Sequence, residues 1–219
     1  MHKLYLLATG PLLYLSLVFF VSGIIFQTAG LILGTYRNER FVFSFLSAKS
    51  SLLSMLHWGT PFGSTVMRRH FLLTMVGFIF HTGLLILPFF LYAHVMLFYE
   101  AWGVSWFTIP EIMSDIITVF VVAACVFFLV RRVIHPEIRY ISTVTDYLIP
   151  VLVMLPFITG FWASHNLPGF RLSHILHILS GEILLTAIPF TRLTHMLFGF
   201  FTRVYTSSEF GRTRFAKDW

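Results

Sequence analysis

Charge is scarce in this sequence. Only 11% of its 219 residues are charged while 57% are hydrophobic, where soluble domains carry about a quarter charged residues. The mean hydropathy of +0.83 excludes an ordinary soluble domain and marks an integral membrane protein. Cysteine is almost absent: Cys125 stands alone, inside an apolar run. One thiol allows neither an internal disulfide nor a C-x-x-C-H attachment for covalent haem. It also excludes an iron–sulfur cluster held by this chain, which needs several thiolates. There is no H-E-x-x-H and no carboxylate cluster beside the histidines, so a hydrolytic metal site is disfavoured. No phosphate-cradling loop or nucleophile–base arrangement accompanies them, which disfavours a stand-alone enzyme.

Length and apolarity together define the fold class: all-α, an integral membrane bundle. Five segments are long and apolar enough to span, at about 7–34, 71–98, 113–130, 147–164 and 172–199. The first is too long for a signal-peptide core and has no small-residue cleavage site, so it reads as a retained span. Pro88, Pro150 and Pro156 fall inside spans, where neighbouring helices can re-satisfy the backbone. The net charge of +6 sorts by side rather than forming a patch. Twelve Lys and Arg residues fall on one side, against only Lys3 and Arg171 on the other, with Arg192 inside the last span. The positive-inside rule then puts the N-terminus outside and the C-terminus in the cytoplasm. It also accounts for the basic residues without nucleic acid. Trp102, Trp106 and Trp162 fall near the outer helix ends, as an aromatic belt would. With no internal repeat or linker, residues 1–219 read as one domain. It carries a cytoplasmic loop at 35–70, whose middle is amphipathic enough to lie along the interface, and a cytoplasmic tail at 200–219. The expected location is the inner membrane, multi-pass.

Histidine is what this apolar chain has in excess. There are ten, and four of them, His81, His94, His177 and His195, fall within spanning segments. Ionisable residues there are costly and mark functional sites by default. His177 and His195 are eighteen residues apart, about five full turns, so a continuous helix would face both one way about 27 Å apart. That separation places an imidazole near each membrane face, as two stacked haems require. The second and fifth spans run antiparallel, which pairs His81 with His195 on the inner side and His94 with His177 on the outer side. Bis-histidine ligation fills both axial positions of an iron and suits electron transfer. Gly77 and Gly181 lie one turn from His81 and His177 and would let a porphyrin approach the backbone. Arg192, three residues before His195, can pair with a propionate or snorkel to the headgroups. Glu182, in the outer half of the last span, is a candidate proton relay or a hydrogen-bond partner within the bundle. His81 and His94 are thirteen residues apart, about 220° on a straight helix, so a kink at Pro88 is required if both serve. His70 competes with His94, and His174 with His177.

Several stretches resemble a known family. They are Phe80-His81-Thr82-Gly83-Leu84, Tyr99-Glu100-Ala101-Trp102, the connection from Arg131-Arg132 to Asp146, and Leu176-His177 through Pro189-Phe190-Thr191-Arg192-Leu193-Thr194-His195. Over about residues 70–200 the chain resembles the cytochrome b (gamma) subunit of respiratory nitrate reductase. It also resembles that subunit's relatives in the transmembrane redox complexes of sulfate-reducing bacteria. The thirteen-residue spacing, Gly103-Val104-Ser105-Trp106 and the stretch from Pro110 to Asp115 look more like those relatives. The outer loop lacks the lysine that the nitrate reductase subunit uses near its quinol. The resemblance implies five helices, two b haems, exchange with menaquinone or with membrane and periplasmic redox subunits, and a separate cytoplasmic iron–sulfur partner. The expected function is a membrane cytochrome b subunit of a respiratory complex. The alternative is a haem-free anchor or a small transporter whose histidines are polar glue.

Overall fold

The computed structural model describes residues 2–214, so the end of the expected tail, residues 215–219, lies outside the described residues. Among the described residues the chain is helical and contains no strand. Five helices are long and apolar enough to cross a membrane, making this a multi-pass membrane protein. We label the helices used below α1 (His2–Asn38), α2 (Ala48–Gly59), α3 (Phe71–Phe90), α4 (Tyr92–Trp102), α5 (Glu111–Ile134), α6 (Val144–Ser164), α7 (Phe170–Ala187) and α8 (His195–Thr206). The surface is inverted relative to a soluble protein. Phe26, Phe120 and Leu155 are exposed while Ser16, Ser114, Thr159 and Ser180 are buried. Large apolar groups facing outward and small polar groups packed inward are what lipid surroundings select.

Two spans end earlier than the apolar runs suggest. The run 71–98 is not one helix: α3 stops at Phe90, Leu91 adopts an extended conformation (φ −73°, ψ 132°), and α4 starts at Tyr92. The break lies just beyond Pro88, where a kink was expected. It leaves successive backbone carbonyls without helical partners, a costly state in lipid. Three donors answer them. Pro88 O accepts from His94 Nδ1 at 3.0 Å, Phe89 O from Trp106 Nε1 at 2.7 Å, and Phe90 O from the Ile109 amide at 3.0 Å. The expectation that 172–199 is a single helix is also corrected. Here α7 ends at Ala187, Ile188–Phe190 forms a 3₁₀ turn, and Thr191 is extended. A second turn, Arg192–Thr194, leads into α8. Pro189 cannot donate into the preceding turn, and the Thr191 hydroxyl accepts from the Leu193 amide, restarting the chain in a new direction. His177 and His195 therefore stand on different helices and are not related by five turns of one helix, as a continuous span would require.

The chain forms two compact units, 1–12 with 76–184 and 13–75 with 185–219. In the first unit α5 and α6 form an antiparallel pair joined by the short turn Pro136–Tyr140. Val121, Ala124, Cys125, Val153 and Ala163 are buried within this unit. At the start of α6 Thr143 and Asp146 form a capping box, with the Asp146 carboxylate accepting from both the amide and the hydroxyl of Thr143. Arg132 at the end of α5 donates to Ser142 Oγ at 2.8 Å and lies 3.9 Å from Asp146. Gly83 on α3 touches α5 so closely that an added Cβ would fall 2.6 Å from Val121 Cγ2 and 2.9 Å from Ile117 Cγ2.

In the second unit Gly23 of α1 meets Pro189, and Gln27 Nε2 donates to Pro189 O at 2.9 Å. The helix α2 packs on α8 and the turn after it. There Ser208 Oγ accepts from the Ser47 amide at 3.0 Å, and the Arg203 guanidinium lies 4.4 Å above the Trp58 ring. Burial lowers the Arg203 pKa from its usual value.

Candidate functional site

The site is built from the break that ends α3. Because α4 starts in a new direction after Leu91, His94 is freed from the straight-helix register that separated it from His81. In the first unit its imidazole faces that of His177 on α7. The ring centres are 5.9 Å apart and the planes lie within 8° of parallel. Both rings are half-buried.

Each ring is oriented by a carbonyl on its other nitrogen. His94 Nδ1 donates to Pro88 O at 3.0 Å, and His177 Nδ1 donates to Pro156 O at 2.8 Å. A proton on Nδ1 puts the lone pair on Nε2, the nitrogen that binds a metal, and a backbone acceptor is the usual second partner of a ligating histidine. His81 Nδ1 donates to Gly77 O at 2.7 Å, and His195 Nδ1 to Arg192 O at 2.8 Å. All four candidate histidines thus share one tautomer, but only His81 and His177 lie on spanning helices; the expectation that all four fall within spans is corrected, because the breaks at Leu91 and Thr191 put His94 and His195 on the short helices α4 and α8. His81 belongs to the first unit and His195 to the second.

The remaining expected residues fall as follows. Gly77 and Gly181 both border open space, with nothing within 4 Å of an added Cβ. Arg192 sits in the short turn before α8 and reaches His195 through its backbone carbonyl. Glu182 is buried on α7 at 7% exposure. His70 lies outside α3, at the end of the turn Thr65–Arg69. His174 is exposed, and the ring stacked against His94 is that of His177. Among the described residues no group of three or more His, Cys, Asp or Glu side chains converges on one point.

Three contributors escaped the sequence reading. Gly160 on α6 lies against His177: a Cβ there would stand 2.9 Å from both Cε1 and Nδ1 of the imidazole. Pro156, one turn earlier on the same helix, supplies the carbonyl that holds that ring. Their spacing of four residues puts them on one face, and that is the sequence signal that was there to find. Trp106 was read as a membrane-interface residue, but its indole N–H also closes the break that places His94.

No family model matches the chain, and no solved structure matches it. A protein of Nitratidesulfovibrio vulgaris is 30% identical over 204 residues, covering 91% of this chain and 90% of its own length. Its name states no function. Identity at that level over nearly the whole of both chains means that this five-span membrane protein belongs to the same family as the Nitratidesulfovibrio vulgaris protein.

Proposed function

We propose that the chain is a dihaem cytochrome b subunit of a respiratory membrane complex. In this reading it carries electrons between the outer side of the membrane and a cytoplasmic iron–sulfur subunit, with menaquinone or outer-face redox subunits as exchange partners. The observation that carries the proposal is the His94–His177 pair: two near-parallel imidazoles with centres 5.9 Å apart, each with Nδ1 committed to a proline carbonyl, which leaves both Nε2 atoms free of that proton to bind a metal. His81 and His195 have the same Nδ1 arrangement, and each is proposed as a ligand for haem. Gly77 and Gly181, beside which an added Cβ would meet nothing within 4 Å, are proposed to let a porphyrin approach, and Arg192 is proposed to pair with a propionate. Bound haem supplies one-electron chemistry. The chain's own work is to fix the tautomers, raise ligand basicity through the carbonyl bonds, and hold the irons in a dry medium.

A reduced-minus-oxidised optical spectrum with a pyridine haemochrome count tests this directly. Two b haems per chain are expected. No haem in a folded, fully assembled sample would leave the second reading, a haem-free anchor in which His94 and His177 simply stack.

The buried carboxyl of Glu182, five residues after His177, is proposed to relay a proton at an outer quinone site. Glu182→Gln is then expected to slow quinol-linked haem reduction at least tenfold while leaving the haem spectrum unchanged. An unaltered rate would assign Glu182 to packing alone.

The cytoplasmic partner is proposed to bind the loop 35–70 and the tail 200–219. Truncation after Thr206 is expected to abolish co-purification of the iron–sulfur subunit; retention of that subunit would remove the tail from the interface.

A further inference from the structure

The helix α2 is built inside out. Ser47, Ser51 and Ser54 lie on one side of it. Ser51 and Ser54 are buried, and the Ser47 amide is bonded to Ser208. On the opposite side Leu52, Leu53 and Leu56 are 60%, 51% and 59% exposed. At about 100° per residue the three leucines span an arc of roughly 100°, and Lys49 falls inside it. A helix resting on a protein and facing water shows the reverse order, leucines in and serines out. The chain also returns to apolar spans at both ends. The span α1 closes at Asn38, nine residues before α2, and α3 opens at Phe71, eleven residues after it. The segment is therefore tethered on both sides to helices that cross the membrane.

We infer that α2 lies in the membrane interface, with its leucine face in the acyl–headgroup boundary of the bilayer and Lys49 snorkelling to the phosphates. The occupant of this face is lipid, for three reasons. Its exposed side is apolar, its one cation sits in the first turn where a flexible stem can reach the headgroups, and its two tethers hold it at membrane level. Interfacial helices bury their apolar face about 5–10 Å below the headgroups. This assignment is independent of haem. It also confines a cytoplasmic partner to the other parts of the 35–70 loop.

The native chain offers a clean test, because its single cysteine, Cys125, is fully buried. Leu52→Cys, Leu53→Cys and Leu56→Cys would each be spin-labelled in the full-length protein, in vesicles of phosphatidylethanolamine and phosphatidylglycerol. Collisions with oxygen, which concentrates in acyl chains, would be compared with collisions with a water-soluble nickel chelate. Oxygen is expected to exceed the chelate severalfold at all three positions, and the order to reverse at Glu39→Cys in the exposed turn after α1. A chelate-dominated signal at the leucine positions would place the face in water and overturn the inference. Exclusion of both reagents in the assembled complex would assign the face to a protein partner and overturn it equally. Continued protection of Cys125 from labelling reports that each variant is folded.

Discussion

Gly160→Ala is expected to remove one of the two proposed haems, or to leave it with a displaced axial ligand. The His177 ring lies where the new methyl group would be, 2.9 Å from two of its atoms, well inside van der Waals contact. The backbone of α6 cannot withdraw cheaply, because it also holds that ring through Pro156 O. The ring must therefore rotate, break its Nδ1 bond, or move away from His94. Loss of one donor orientation in a metal site typically costs 10–100-fold in affinity. A pyridine haemochrome count falling from two to one per chain would show the loss. If haem is retained, low-temperature electron paramagnetic resonance is expected to show a changed low-spin signal or a high-spin one for one haem only. An unchanged spectrum with two haems would mean that His177 is not the ligand, since a methyl group cannot occupy that space without moving the ring. His177→Ala is expected to lose the same haem and so identifies which signal moved.

Gly83→Leu is expected to open the contact between α3 and α5. A single Cβ at this position would already approach Val121 and Ile117 within 3 Å, and Val121 is fully buried. Overpacking of this kind costs about 1–3 kcal/mol, and a branched side chain should reach the upper end. Cys125 reports the change, because it is fully buried in α5 one turn from Val121. Its labelling by a thiol-reactive dye in detergent is expected to accelerate roughly tenfold to a hundredfold, since each 1.4 kcal/mol is about a factor of ten. A rate within twofold of the parent would show that the two helices do not depend on close approach at Gly83.

The five spans were legible because a spanning helix must be apolar over about twenty residues, and no tertiary contact is needed to satisfy its backbone. The helix ends were less so. Pro88 announced an interruption, but the chain breaks at Leu91, and what stabilises that break comes from Trp106 and Ile109, far along the sequence. Nothing local to Leu91 distinguishes it. At the other break the local signal was present in Pro189 and Thr191, and the apolar run around them concealed it. His81 and His177 were legible as candidates from the cost of an ionisable group on a spanning helix, whereas His94 and His195 lie beyond the helix breaks. The Nδ1 partners of all four were not legible, because any backbone carbonyl is chemically the same until the fold brings one near. Gly160 is the clearest case: a glycine in a membrane helix ordinarily reads as packing, and only the position of α7 makes it a boundary of the His177 ring.

The stitching of the helix break has a consequence for how this chain can diverge. Between Trp102 and Ile109 the loop must deliver an indole N–H to Phe89 and a main-chain amide to Phe90, three residues apart on the loop and adjacent on the helix. Inserting or deleting one residue there would deprive both carbonyls of their donors at once. The length of this loop should therefore be fixed among descendants even where its side chains drift.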